Sequence, residues 1–202
     1  MPPLPSLPAP YDRELQLRLE LAKPEDTARG MFFNGVLNAV KDVPGGPALL
    51  DECRALTGER RFVDVFSYPI SGFLRLAFPA AALLAPREGG MEGAFRHLGH
   101  LGIDDFLKSP AGKTLLLLAS SSLRKVMQNA TAAYRTAVSY GDRSMVWPGH
   151  RHCVMTMQHD FMPHPYHHGL LVRTLEALGG KGVQVKATRT GLLDSTYEMT
   201  WE

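Results

Sequence analysis

Residues 183–201 read VQVKATRTGLLDSTYEMTW, and their side chains alternate in character. Val183, Val185 and Ala187 are interleaved with Gln184, Lys186 and Thr188; Tyr197, Met199 and Trp201 are interleaved with Thr196, Glu198 and Thr200. Successive side chains on a strand point to opposite faces, so each run is a strand with one buried and one wet face, the habit of antiparallel sheets. Immediately upstream, Tyr166–Leu178 carries Leu170, Leu171, Leu175 and Leu178 at helical spacing and ends in Gly179-Gly180, a helix with a glycine stop. Before that helix, Arg151–His159 alternates again as a strand. Further back, Val138–Tyr140 and Arg143–Trp147 flank Gly141-Asp142, a pattern that predicts a hairpin.

Upstream of Tyr134 the period changes to that of helices. Proline and acidic residues at Pro24–Asp26 open a helix that runs through Val40, another spans Pro47–Leu56, and Ile70–Leu84 is a long apolar helix interrupted at Pro79. Met91–Leu107 follows with Phe95, Leu98, Leu101 and Phe106 inward, then Ala111–Leu118 and, beyond Ser120-Ser121-Ser122 as break and cap, Leu123–Gln128. Tyr11–Leu21 is ambiguous, since its leucines alternate like a strand while its composition favours a helix, towards which we lean. The expected architecture is α+β: a helical N-terminal part (23–132) packed on a C-terminal antiparallel sheet (133–202) crossed by one helix, together a single domain, preceded by a Pro-rich arm and the uncertain first element in residues 1–22.

A formal charge of +2, from 22 basic and 20 acidic residues, gives no electrostatic footprint for nucleic acid. The apolar runs fall short of the roughly 20 residues that cross a bilayer. Cys53 and Cys153 lie far apart and no export signal precedes them, so they are expected as reduced thiols in the cytoplasm.

Residues 149–169 hold six of the eight histidines. Imidazole suits zinc or iron, yet alternation puts His152 on the opposite face from Cys153 and His159, with Cys153, Met155 and Met157 toward the core. That leaves His164, His167 and His168, around one turn, as the candidate metal ligands. His97 and His100 share a helix face beside Gly99 and Gly102, which allow close approach of a backbone or a ligand.

Four segments carry a family resemblance: DTARGMFFNGVL (26–37), GERRFVDVFSYP (58–69), AYRTAVSYG (133–141) and TGLLDSTYEMTWE (190–202). They resemble an uncharacterised paralogous family of myxobacterial proteins of about this length, a domain of unknown function. More distantly, the order of elements is similar to the heme nitric oxide/oxygen-binding domain and to vinyl-reductase and transport-particle-like ligand modules. That heme family carries its proximal histidine in the helix before the sheet, which corresponds to Leu115–Gln128, with Ser122 or a neighbour at the ligand position; no histidine is there. Its Tyr-x-Ser-x-Arg propionate grip corresponds to Phe161–Pro165, which lacks all three residues. The resemblance therefore implies the fold without the standard heme site, and the cofactor stays unknown.

Arg61, Tyr134 and Arg135 lie in the segments of resemblance and, with His97 and His100, are the candidate ligand-binding residues; arginine can grip a carboxylate or phosphate. The competing expectation is an internal salt bridge between helical part and sheet, for example from Arg135. No nucleophile elbow, phosphate loop or dinucleotide fingerprint occurs. The expected function is a non-enzymatic cytoplasmic sensory or regulatory module binding a small, mostly apolar ligand or a protein partner, which includes a second copy of itself. The alternatives are a metal-binding protein or metal-dependent enzyme using residues 150–168, and a heme gas sensor with non-standard ligands.

Overall fold

The computed structural model describes residues 6–59, 61–119 and 123–202. The expectations for residues 1–5 of the Pro-rich arm, for Ser120–Ser122 and for the Cys53 side chain lie outside the described residues. The elements are α1 (Ala9–Leu21), β1 (Thr27–Arg29), α2 (Gly30–Val40), α3 (Gly46–Thr57), β2 (Ser67–Pro69), α4 (Ile70–Leu84), α5 (Met91–Lys108), α6 (Pro110–Ala119), α7 (Leu123–Gln128), α8 (Ala130–Ala137), β3 (Asp142–Gly149), β4 (His152–Gln158), α9 (His164–Ala177), β5 (Gln184–Arg189) and β6 (Ser195–Thr200). The fold is α+β, with the helical N-terminal part packed on the C-terminal sheet and α9 crossing that sheet.

The sheet is antiparallel throughout in the order β3-β4-β6-β5. Met155 stands opposite Tyr197, and Tyr197 opposite Ala187, so the apolar rows line up on one face. Cys153, Met155, Met157, Tyr197 and Met199 are buried there beneath Leu171 and Leu175 of α9 and Met127 of α7. The other face is wet, and His152 reaches Glu198 across it at 2.9 Å. A second core, built on Phe33, Phe73, Phe78 and Phe95, fills the helical part.

α5 and α9 join the two cores, and glycine decides how closely. A Cβ on Gly99 would stand 1.9 Å from the Tyr166 carbonyl oxygen, and one on Gly169 would stand 2.0 Å from that of Arg96. Backbone therefore lies on backbone at this crossing. Arg173 of α9 adds a bond from Nε to Asp104 of α5 at 2.7 Å.

The structure corrects several sequence expectations. Val138–Tyr140 is not the first arm of a hairpin; α8 occupies Ala130–Ala137, and Val138 makes a single bridge to Ala28. The hairpin is β3–β4, turning at His150-Arg151. Residues 138–139 go instead to the β1 segment, where the Ser139 N–H donates to the Thr27 carbonyl at 3.0 Å. Gly141 (φ 72°) instead packs its Cα against the carbonyls of Gln158 and His159. The helix expected from Pro24 begins only at Gly30, because residues 27–29 pair with 67–69 as β1–β2. That pairing partner is forty residues away, beyond any local pattern. Pro79 does not interrupt α4, which is buried around most of its circumference and runs through it; surrounding packing outweighs the lost backbone bond. On α5, Leu101 and Phe106 are half-buried, whereas Ile103 and Leu107 join Phe95 and Leu98 inward. Tyr11–Leu21 lies within a helix, α1, with Leu15 and Arg18 buried. No described helix is long and apolar enough to cross a membrane.

Candidate functional site

The junction of the two cores contains an apolar cavity of about 90 Å³, walled by Phe32, Phe73, Gly102, Tyr134, Met155 and Tyr166 among others. Each wall element arrives for a local reason. α8 is the alanine-rich helix that turns Tyr134 inward, Gly102 on α5 leaves room for the Tyr166 ring, and Met155 belongs to the buried row of β4.

Tyr134 connects the cavity to a buried polar chain. Its hydroxyl lies 2.9 Å from His167 Nδ1, and His167 Nε2 lies 2.7 Å from Asp160 Oδ1. The other carboxylate oxygen of Asp160 pairs with Arg143, whose guanidinium carbon sits 3.9 Å over the Tyr134 ring. Asp160 follows β4, held there by its own N–H donating to the Leu193 carbonyl and by the Met162 N–H donating to Oδ1 at 3.1 Å. From α1, Arg18 reaches in to donate to the carbonyl of Phe161 at 3.0 Å while also bonding Glu14. Asp160, His167 and Arg18 are each 3% exposed or less.

An ionised carboxylate only accepts, so Nε2–H of His167 donates to Asp160. Nδ1 and the Tyr134 hydroxyl share a bond whose direction follows the ring's tautomer, while at the far end of the chain Arg143 Nε, also buried, has no hydrogen-bond partner among the described residues. Burial alone would raise the Asp160 carboxyl, but the charges of His167 and Arg143, with hydrogen bonds from His167 and the Met162 N–H, outweigh it and hold the group well below the usual carboxylate range. Burial, reinforced by the Asp160 charge, pushes the Tyr134 and Tyr140 hydroxyls far up, so both are neutral donors. Burial likewise pushes the Cys153 thiol up to about 12.

Of the candidate ligand-binding and metal residues read from the sequence, only Tyr134 lines the cavity. Arg61 and Arg135 are exposed and outside its wall. Salt bridges between separate segments come instead from Arg143 to Asp160 and from Arg173 to Asp104, while Arg18 ties α1 in through the carbonyls of Asp160 and Phe161. His97 is half-exposed with Nδ1 3.7 Å from Glu88, and His100 is half-buried, its ring pushed toward the neutral form by burial. Gly99 and Gly102 beside them do allow close approach, by α9 rather than by a ligand at the histidines.

His164, His167 and His168 do not converge as metal ligands. Both nitrogens of His167 are already engaged, His168 Nε2 donates to the Val185 carbonyl at 3.0 Å, and His164 stands at the start of α9. Among the described residues no three histidines, cysteines or carboxylates form a metal-holding group. Sequence reasoning missed Asp160, Arg143 and Arg18. Asp160 had one signal, being the only acidic residue in the otherwise apolar and histidine-rich stretch 160–169.

Helices over an antiparallel sheet crossed by a single helix is the fold of the H-NOX proteins. The chain superposes over 86% of its length on 96% of the Fe(II) unliganded H-NOX protein from K. algicida, at 12% identity and a TM-score of 0.61. It superposes over 86% of its length on 99% of an H-NOX protein from S. oneidensis in the Fe(II)NO ligation state, at 13% identity and a TM-score of 0.57. Such identities establish fold alone. The chain itself belongs to the DUF2378 family, described as proteins of unknown function, whose model matches residues 21–202. No curated protein matches it at a significant level.

The heme that such a fold can carry does not fit the residues present. Among the described residues no histidine, cysteine, arginine or lysine stands in the cavity wall. Neither an imidazole or thiolate ligand nor a propionate clamp is therefore provided. The wall's tyrosines are held neutral by burial, which disfavours a tyrosinate ligand. About 90 Å³ is also far below the roughly 300 Å³ at which cofactor-sized pockets begin. Phe161 and Met162, in the stretch corresponding to the propionate grip, are core residues.

Proposed function

We propose that this protein is a non-enzymatic sensory or regulatory module, cytoplasmic in setting, that binds a small, mostly apolar ligand in the cavity between its helical part and its sheet. The observation that carries this is the cavity itself, an apolar space at the seam of two cores whose wall includes Tyr134, the first member of the chain through His167 and Asp160 to Arg143. Native interiors are close-packed, so a void in contact with a buried polar chain is a feature to be explained by occupancy. The H-NOX-like fold supports a sensory role by analogy alone.

The ligand reports to the rest of the molecule through contacts that differ between filled and empty states. Displacement of Tyr134 changes its bond to His167, and Asp160 lies next to the carbonyls that hold Arg18 of α1. Exposed Val65 and Phe66, 68% and 60% accessible, offer the same module a contact for a protein partner.

The test is native mass spectrometry of the protein purified from its own host, beside an Ala133→Leu variant that fills the cavity from α8. A small molecule released by the wild type and missing from the folded variant supports the reading. A wild type without any bound molecule, whose spectra respond to no small apolar compound, overturns it.

A further inference from the structure

Two of the cavity's tyrosines are polar groups without a protein partner. Tyr140 and Tyr166 are 6% and 4% exposed, and both stand in the cavity wall. Among the described residues no group hydrogen-bonds either hydroxyl, in contrast to Tyr134, which is bound to His167. Neither hydroxyl oxygen is a sealed buried atom, since the buried partnerless side-chain atoms among the described residues are Arg143 Nε and His168 Nδ1; each hydroxyl therefore opens onto accessible space, where a tyrosine hydroxyl ordinarily finds a partner. The Tyr166 hydroxyl is located by its neighbour: a Cβ on Gly102 would stand 2.7 Å from it, and Gly102 is itself part of the wall.

The rest of the wall restricts what can meet these hydroxyls. Thr174, its remaining side-chain hydroxyl, already donates to the Leu170 carbonyl at 2.7 Å. No charged side chain stands among the described wall residues, so a carboxylate, phosphate or ammonium would enter unpaired, at a large desolvation cost. The volume of about 90 Å³ is below the roughly 150 Å³ that accommodates benzene in an engineered apolar cavity. Burial and the Asp160 charge hold both phenols in the protonated, donating form.

We infer that the ligand is a small neutral carbonyl compound, its carbon skeleton in the apolar space and its oxygen accepting a hydrogen bond from Tyr166 Oη, with Tyr140 Oη as the second donor. A carbonyl oxygen has two lone pairs and no proton, which matches two hydroxyl donors. This assignment rests on the ligand-binding reading above and adds the chemical class.

The experiment is protein-observed NMR of the full chain, titrated separately with acetone and with xenon, in the wild type and in Tyr166→Phe and Tyr140→Phe. Both agents should shift the amides of Gly102 and Tyr166. Tyr166→Phe should weaken acetone about tenfold, as expected where a buried acceptor loses its donor, and leave xenon unchanged. If Tyr166→Phe does not fold, Tyr140→Phe carries the same comparison. Acetone bound equally tightly by the wild type and the folded variants, or xenon bound and acetone not, overturns the carbonyl assignment, while the cavity reading stands. If neither agent shifts the cavity resonances, the cavity reading fails and the assignment falls with it.

Discussion

Replacing Asp160 by asparagine tests whether the buried polar chain organises the seam between helices and sheet. The substitution keeps the shape and removes one charge from a group that is 3% exposed. In the native protein one carboxylate oxygen accepts from His167 and the Met162 N–H, and the other pairs with Arg143, whose side chain is 3% exposed. An asparagine has one accepting end and one donating end. Whichever way it is placed, its NH₂ faces either the Arg143 donors or those of His167 and Met162, and Arg143 keeps a buried charge without a counter-charge. Removing one partner of a buried pair destabilises by about 3 to 5 kcal/mol, which for a chain of this size lowers Tm by about 10 °C.

The pH dependence has a definite sign. Asp160 is held below its ordinary range in the folded protein, so the unfolded chain takes up this proton at a higher pH than the native state does. Its contribution is complete above about pH 5 and fades as pH falls below about 4, the ordinary aspartate value. Urea unfolding followed by circular dichroism from pH 7 to pH 3 should show wild type and Asp160→Asn far apart at neutral pH and converging in acid. A loss below about 1 kcal/mol at pH 7 with an unchanged m value would refute the argument, since Arg143 and His167 would then be solvated rather than dependent on Asp160.

Other expectations follow from the same geometry. Cys153, fully buried with its thiol pushed up to about 12, should resist iodoacetamide in the native protein at pH 8 and be modified in urea, as read by peptide mapping; native modification at a rate near that of a free thiol would contradict the packing of β4. Gly169→Ala places a methyl 2.0 Å from the Arg96 carbonyl oxygen; because backbone on both sides must move, a loss of about 3 kcal/mol or failure to fold is expected, and a neutral result in thermal denaturation would mean that α5 and α9 are further apart. Hemin added to the purified protein should give no stoichiometric Soret band, given a wall without histidine, cysteine, arginine or lysine among the described residues; a stable band that survives gel filtration would restore a heme-binding reading.

Much of the candidate site was hidden from the sequence for a physical reason. The histidines of residues 149–169 drew attention to the right segment, but identity alone does not separate His167, bonded on both nitrogens and buried, from His159, exposed and earlier in the same stretch. Arg61 and Arg135 carried the family resemblance and turned out exposed, while Arg143, at the start of β3, became the buried partner of Asp160. Burial is a property of the packed whole, and an arginine in a sequence looks the same in water or in a core.

The sequence by itself determined the α+β class, the buried row Cys153, Met155 and Met157, the crossing helix and the closing pair of strands, because periods of two and of 3.6 are local consequences of backbone geometry. Only the tertiary structure decided that residues 27–29 pair with 67–69, that Gly99 and Gly169 bring α5 and α9 into backbone contact, and that Tyr134, His167, Asp160 and Arg143 line up beside the cavity. Those outcomes depend on which distant segments share a surface, a relation set by the summed packing of two cores and recorded in no single stretch of the chain.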